Sequence, residues 1–236
     1  MIRGVKRHFT SSGKWEIAES FSIHRAEDII FVHHNNMIKG TYVLKRDYKR
    51  QLSRVKEGKE SYVVKEFRRP GPWWIFRPDA ISWKNAYKMR DLGMPVAKVY
   101  AWLKSKDGRG FIIMEDLGDL VLSHILKDLT PDSSERRFFI EQIAQLVARL
   151  HRKNVVYGDL KLTNVMIRDS SLFLVDWDKI KQKKRLRLTD RLFNLKQIIG
   201  SFPSNLTDDE FNLFCNTYIK TKALSFYRLL PKQESL

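Results

Sequence analysis

The chain has 236 residues, 43% of them apolar and 12% aromatic, with only seven prolines and eleven glycines; this excludes a disordered or fibrous protein and allows one domain or a coupled pair of lobes. Its single cysteine, Cys215, excludes an internal disulfide and supplies too few thiolates for a zinc or iron–sulfur centre. A formal charge of +17 predicts attraction to a polyanion, whether nucleic acid, an anionic membrane face or a phosphorylated lipid, and the basic clusters at 45–54 and 179–187 argue against an even spread.

Residues 1–20 are broken by Arg3, Lys6, Arg7, His8, Lys14 and Glu16, so the apolar stretch of a signal peptide is missing. No apolar run approaches the roughly 20 residues that span a bilayer. A cytosolic protein is expected. Residues 29–33, 41–45 and 61–67 are rich in β-branched and aromatic side chains and predict strands of a small antiparallel sheet. A turn follows at Arg68-Arg69-Pro70-Gly71-Pro72, then Trp73 and Trp74. Residues 79–92 predict a helix closed by Gly93 with Pro95 just beyond. Residues 96–103 and 110–115 flank Lys106-Asp107-Gly108-Arg109 and predict a hairpin.

After that hairpin the period changes. Thr130-Pro131 suits an N-cap and a helix-opening proline, and Phe139, Ile143, Leu146, Val147 and Leu150 recur at helical spacing as far as Arg152. Residues 188–199 predict another helix, and Thr207 with Glu210 predicts a capping box for one running to about residue 227. The expected fold is therefore α+β and bilobal. A small antiparallel-sheet N-lobe with one helix, about 1–117, precedes a mainly helical C-lobe, about 118–236.

Chemistry concentrates behind the long helix, in Val155-Val156-Tyr157-Gly158-Asp159-Leu160-Lys161-Leu162-Thr163-Asn164-Val165-Met166-Ile167 and Leu172-Phe173-Leu174-Val175-Asp176-Trp177-Asp178. Two apolar segments able to pair as strands flank acidic groups. Phosphoryl transfer needs metal ligands, a group that orients the acceptor hydroxyl, and a cation near the transferred phosphoryl. Asp159 can accept or orient the hydroxyl proton, the amide oxygen of Asn164 and the carboxylate of Asp176 are hard ligands for Mg²⁺, and Lys161 lies within reach of the phosphoryl.

Tyr157-Gly158-Asp159-Leu160-Lys161-x-x-Asn164 resembles the catalytic loop of the protein-kinase-like superfamily, whose protein-kinase version is H-R-D-L-x-x-x-N, and Asp176-Trp177-Asp178 takes the place of D-F-G. Glycine before the catalytic Asp, and no glycine after the metal-binding one, look more like small-molecule and atypical kinases. Within the superfamily the chain is most similar to bacterial lipopolysaccharide core kinases, which phosphorylate the inner-core sugars Kdo or heptose. Tyr62-Val63-Val64-Lys65, Ser82-Trp83-Lys84-Asn85-Ala86 through Gly93-Met94-Pro95, and Asp190-Arg191-Leu192 carry that likeness, which covers about residues 40 to 200.

The resemblance implies a bilobal kinase-like fold, ATP and Mg²⁺ as cofactors, and Lys65 on the ATP phosphates. Met114-Glu115-Asp116-Leu117 would be the hinge, with backbone groups of Glu115 and Leu117 against adenine. Lys45 in Tyr42-Val43-Leu44-Lys45 competes with Lys65. Two features depart from the pattern. No G-x-G-x-x-G exists, so a phosphate-covering loop would use Gly40 or the residues near Asn35 and Asn36, and no helix glutamate faces Lys65, with Ser82 before Trp83 and Asp79 one turn too early.

The histidines His33, His34, His124 and His151 read as structural, the first two flanking a strand. Trp73 and Trp74 suit either core packing or a membrane boundary. Lys179, Lys181, Lys183, Lys184, Arg185 and Arg187 follow Asp178 where a kinase fold faces its acceptor. They favour a phosphorylated or lipid-linked glycan, with peripheral contact to the anionic inner face of the cytoplasmic membrane. The alternatives are a kinase with another small-molecule or protein acceptor, and a pseudokinase or polyanion-binding module. No helix-turn-helix, RNA-binding or zinc-finger pattern appears, so nucleic acid is not the expected partner.

Overall fold

The computed structural model of the chain describes residues 2–68 and 77–227, with side chains to residue 221. Trp73 and Trp74 lie outside the described residues. The chain forms two compact units, Met1–Leu117 and Gly118–Leu236, the first built on an antiparallel sheet and the second mainly helical. This is the α+β division expected from the sequence.

The N-terminal unit runs β1 (Val5–Phe9), β2 (Gly13–Ala18), α1 (Ile23–Lys39), β3 (Val43–Arg46), β4 (Arg50–Glu57), β5 (Glu60–Phe67), α2 (Pro78–Asp91), β6 (Val99–Ser105) and β7 (Gly110–Glu115). Its seven strands form one sheet in the order β1-β2-β6-β7-β5-β4-β3. The β6–β7 hairpin and α2 form where the sequence predicts them. Residues 29–33 do not form a strand; they lie inside α1. Ala26, Ile29, Ile30, His33 and Met37 are buried at helical spacing, and Gly40 closes the helix in the left-handed conformation with its N–H on the Asn36 carbonyl. That period outweighs the strand preference of two isoleucines and a valine, so among its described residues this unit has two helices where one was expected.

β4 is hidden from composition because it reads Arg-Gln-Leu-Ser-Arg-Val-Lys-Glu. Its alternation is nonetheless strict, with Gln51, Ser53 and Val55 buried on the α1 side. There His33 meets Ser53 Oγ at 2.7 Å and Glu66 at 3.3 Å, and Asn36 donates to the Arg54 carbonyl at 2.9 Å. Arg109 takes the other Glu66 oxygen at 3.0 Å. Burial alone would raise the Glu66 carboxyl; the bonds from His33 and Arg109 outweigh it and hold the group below its usual range. The histidine is structural, as expected, but sits on a helix.

On the opposite face, cross-strand pairing sets Glu16, Trp102, Ile112 and Lys65 in one row. α2 lies on this face. Its Trp83 donates to Glu16 at 3.0 Å, and its Asp79 accepts from Trp102 at 2.9 Å and from Arg77.

The C-terminal unit runs α3 (Leu122–Asp128), α4 (Ser134–Arg152), β8 (Val155–Tyr157), β9 (Val165–Arg168), β10 (Ser171–Leu174), β11 (Ile180–Gln182), α5 (Leu188–Ile199) and α6 (Asp208–Tyr227). Thr130 does not cap α4. Ser133 does, accepting from the Arg136 N–H, while the Ser133 N–H bonds the Thr130 carbonyl and Asp132 takes a positive φ, so 130–133 is a turn. The capping box of α6 forms as predicted, with Glu210 N–H on Thr207 Oγ1 at 3.1 Å and Thr207 N–H on Glu210 Oε2 at 3.2 Å.

Glu210 does more than cap. It also accepts from Arg136 at 2.6 and 3.2 Å and from the Asp132 N–H at 3.0 Å, while Arg136 donates to the Leu126 carbonyl and to Ser204 Oγ. The two side chains are 1% and 0% exposed. Such a pair is costly to break from one side because the remaining charge stays buried, at about 3–5 kcal/mol. Glu210→Ala is therefore expected to lower the urea midpoint of unfolding by an amount corresponding to that loss. Burial would raise the Glu210 carboxyl, but Arg136 and the two N–H donors more than compensate and depress it below the unfolded value of 4.5. The stabilisation is complete above that value and is lost as pH falls from it through the depressed folded value. Urea midpoints measured from neutral pH down to about pH 3 should fall less steeply for Glu210→Gln than for the parent chain.

Candidate active site

Two ribbons in the C-terminal unit bring the acidic residues together. β8 pairs with β11, Tyr157 opposite Ile180, and β9 pairs with β10, Val165 opposite Leu174. The chain passes from the first ribbon to the second through 158–164 and returns through 175–179. Both crossings therefore start and finish at the same paired ends. Backbone bonds tie them there, from Gly158 N–H to the Lys179 carbonyl at 2.9 Å and from Val175 N–H to the Asn164 carbonyl at 3.0 Å.

Asp159, Lys161 and Asn164 stand on the first crossing, Asp176 and Asp178 on the second. The Asn164 side-chain nitrogen donates to the Asp159 carbonyl at 2.9 Å, which turns its amide oxygen the other way. Lys161 Nζ lies 2.9 Å from Asp159 Oδ1. Asp176 takes φ 68°, an unusual conformation for a residue with a Cβ, and the Tyr157 hydroxyl bonds the carbonyls of Val175 and Asp176 beneath it. Tyr157 is fully buried; burial raises its phenol well above the usual range, and the carboxylates of Asp176, Asp178 and Asp159 push in the same direction. Three acids from two crossings thus surround one phenol.

Gly158 owes its identity to close approach. A Cβ there would stand 2.7 Å from the Lys179 carbonyl oxygen. The ribbon crossing leaves no room for the arginine that precedes the Asp in the protein-kinase form of this loop.

The loop is braced from α5 by residues that sequence reasoning did not single out. Asn194 accepts from the Tyr157 N–H at 3.2 Å and donates to its carbonyl at 2.6 Å. Gln197 donates to the Gly158 carbonyl at 3.1 Å and lies 3.4 Å from the Leu160 N–H, and Ser201 Oγ accepts from the Leu162 N–H at 3.0 Å. The trace in the sequence is slight: two amides three residues apart in a helix otherwise rich in leucine and isoleucine.

The remaining expected residues belong to the N-terminal unit. Lys65 is 6% exposed in the row that α2 covers, its ammonium 4.9 Å from the Phe67 ring centre. The competing Lys45 is on the surface beside Asp47. Asp79 has its oxygens on Arg77 and Trp102, and Gly40, Asn35 and Asn36 belong to the end of α1 rather than to a strand connection. The turn joining the two strands outside β5 is instead residues 47–49, where Asp47 Oδ1 accepts from the N–H groups of Lys49 and Arg50.

At the end of β7, the Glu115 N–H donates to the Lys98 carbonyl at 2.8 Å and the Glu115 side chain accepts from the Lys98 N–H at 3.1 Å. Asp116 takes Arg54 through both oxygens and Ser61 as well, and Leu117 is buried. The stretch proposed as a hinge is thus pinned to β4 and β5 by its aspartate.

The model of the lipopolysaccharide kinase (Kdo/WaaP) family matches residues 80–218, more than half of the chain, and the chain belongs to that family. It is also similar to protein kinase C eta type of Mus musculus and of Homo sapiens, in each case 31% identical over 123 residues, which are 49% of this chain and 17% of the relative. The chain thus spans about a sixth of the length of those curated relatives.

Because the braces act on backbone groups, their loss should alter both geometry and stability. Gln197→Leu is expected to reduce phosphotransfer at least tenfold and to lower the thermal midpoint, since each backbone group left without its partner costs about 1–3 kcal/mol. Gly158→Ala should do the same, because overpacking of this kind costs about 1–3 kcal/mol. Thermal melts and initial rates on the two variants check this.

Proposed function

We propose that the chain transfers the terminal phosphoryl group of ATP to a hydroxyl of an inner-core sugar of lipopolysaccharide, Kdo or heptose, on the cytoplasmic side of the membrane. The observation that carries this reading is the meeting of Asp159, Asn164 and Asp176 on two crossings tied by backbone bonds. A scaffold has no chemical need for that set.

In this reading Asp159 receives the acceptor hydroxyl and takes or orients its proton. Lys161, already beside Asp159, neutralises charge on the group in transfer, and Lys65 holds the nucleotide phosphates. The Asn164 amide oxygen and the Asp176 carboxylate are hard oxygens suited to Mg²⁺, and the bond from Asn164 to the Asp159 carbonyl fits that use by fixing which end of the amide faces outward. Held by these two residues, Mg²⁺ would supply positive charge to offset that of the phosphates. Backbone groups of Glu115 and Leu117 hold adenine. The excess of cations suits an acceptor that already carries phosphates or carboxylates.

A protein acceptor is the second reading, favoured by the likeness to protein kinase C eta type. Purified chain should release ADP from ATP and Mg²⁺ when an inner-core oligosaccharide is supplied. Asp159→Ala is expected to abolish this release, and Asn164→Ala to lower it with a raised Mg²⁺ requirement. Release that ignores the oligosaccharide but follows a protein acceptor would favour the second reading. No acceptor-dependent release, together with no Mg²⁺-dependent ATP binding, would overturn both.

A further inference from the structure

α5 has two faces. Asn194 and Ile198 are buried, and with Gln197 the first of them holds 157–160. On the other side Leu188 and Leu192, four residues apart, are 69% and 53% exposed, and Phe193 beside them is 47% exposed. Leu195 and Ile199 extend the same stripe and are half-buried. Singly exposed leucines are ordinary; a helical stripe with an open phenylalanine on the adjoining face marks a surface that something covers.

Charge indicates what covers it. Residues 179–191, which lead into α5 and form its first turn, hold Lys179, Lys181, Lys183, Lys184, Arg185, Arg187 and Arg191 against one acid, Asp190. The segment is held in place rather than loose. β11 is paired with β8, and Asn154 bonds the backbone of Lys183, Lys184 and Leu186. Leu186 is buried and anchors it two residues before Leu188, and Lys183 reaches Asp190 in the first turn of α5 at 2.6 Å, so the basic run leads without a break into the helix that carries the exposed leucines. A plane of negative charge over hydrocarbon matches basic and apolar groups placed together.

We propose that residues 179–187 and the outer face of α5 form a docking surface for an anionic phospholipid membrane. Leu188, Leu192 and Phe193 enter the interface, and the lysines and arginines lie among the headgroups. The inner face of the same helix holds the loop with Asp159, so docking sets that loop about one helix diameter, roughly 10 Å, from the headgroups. The benefit to a lipid-linked acceptor rests on the kinase reading above; the docking itself does not.

The test is sedimentation of the full chain with vesicles of phosphatidylcholine, with and without phosphatidylglycerol. The chain is expected to partition onto the anionic vesicles alone. Leu192→Glu with Phe193→Glu, and separately Lys184→Glu with Arg185→Glu, should each lower that partition at least tenfold; none of the four touches the loop. If the first pair does not fold by circular dichroism, Leu192→Ser with Phe193→Ser carries the test. The proposal is overturned by equal partition onto neutral vesicles, by absence of partition, by variants that bind as the parent does, or by light scattering showing that the apolar pair separates a dimer instead. ADP release on a deacylated, water-soluble inner-core oligosaccharide keeps the two readings apart: the Leu192→Glu with Phe193→Glu variant should match the parent there, and a parent that docks without turnover defeats the kinase reading alone.

Discussion

The loop that carries Asp159 leaves one ribbon and enters another without a strand partner of its own, and buried peptide groups left unbonded would cost about 1–3 kcal/mol each. Most of the C-terminal unit can be understood from how that need is met. Asn194 returns both backbone groups of Tyr157, Gln197 engages Gly158 and Leu160, and Ser201 takes Leu162, all from one side of α5 and the turn after it. Because the helix supplies these bonds in fixed spacing, the loop conformation is copied from a rigid element. The left-handed Asp176 is held in the same way, through the Tyr157 hydroxyl beneath it.

This explains why part of the site was legible and part was not. Asp159, Asn164 and Asp176 announce themselves because metal and proton chemistry restricts residue type and spacing. The braces do not, since any amide or hydroxyl with the right reach serves, and nothing local ties Asn194 to Tyr157. The elements follow the same division. α2, the β6–β7 hairpin, α5 and α6 carry turn, cap or periodic signals of their own. α1 carried the signal too, in Ala26, Ile29, Ile30, His33 and Met37, but a short window over 29–33 sees two isoleucines, a phenylalanine and a valine, all strand formers. β4 was hidden because two of its three buried positions are Gln51 and Ser53, polar groups that need partners, as Ser53 has in His33, to be acceptable in a core.

Charge is also sorted by the fold. The buried carboxylates Glu16, Glu66, Asp79 and Glu210 each lie beside an arginine, and Glu16 and Asp79 also accept from an indole. Such pairs are electrically closed, so, the buried Lys65 apart, the surplus of cations falls on the remaining surface. Burial of acids with their partners thus sharpens the contrast between a neutral interior and a basic exterior.

The Arg136–Glu210 pair joins positions 74 apart in the chain. During synthesis α4 emerges well before residue 210, and until then its fully buried arginine has no carboxylate to receive it. The growing C-terminal unit is therefore held short of completion, its first long helix bearing a charge that favours water over the core. Closure of that part of the core requires α6, whatever the order in which the rest of the unit packs.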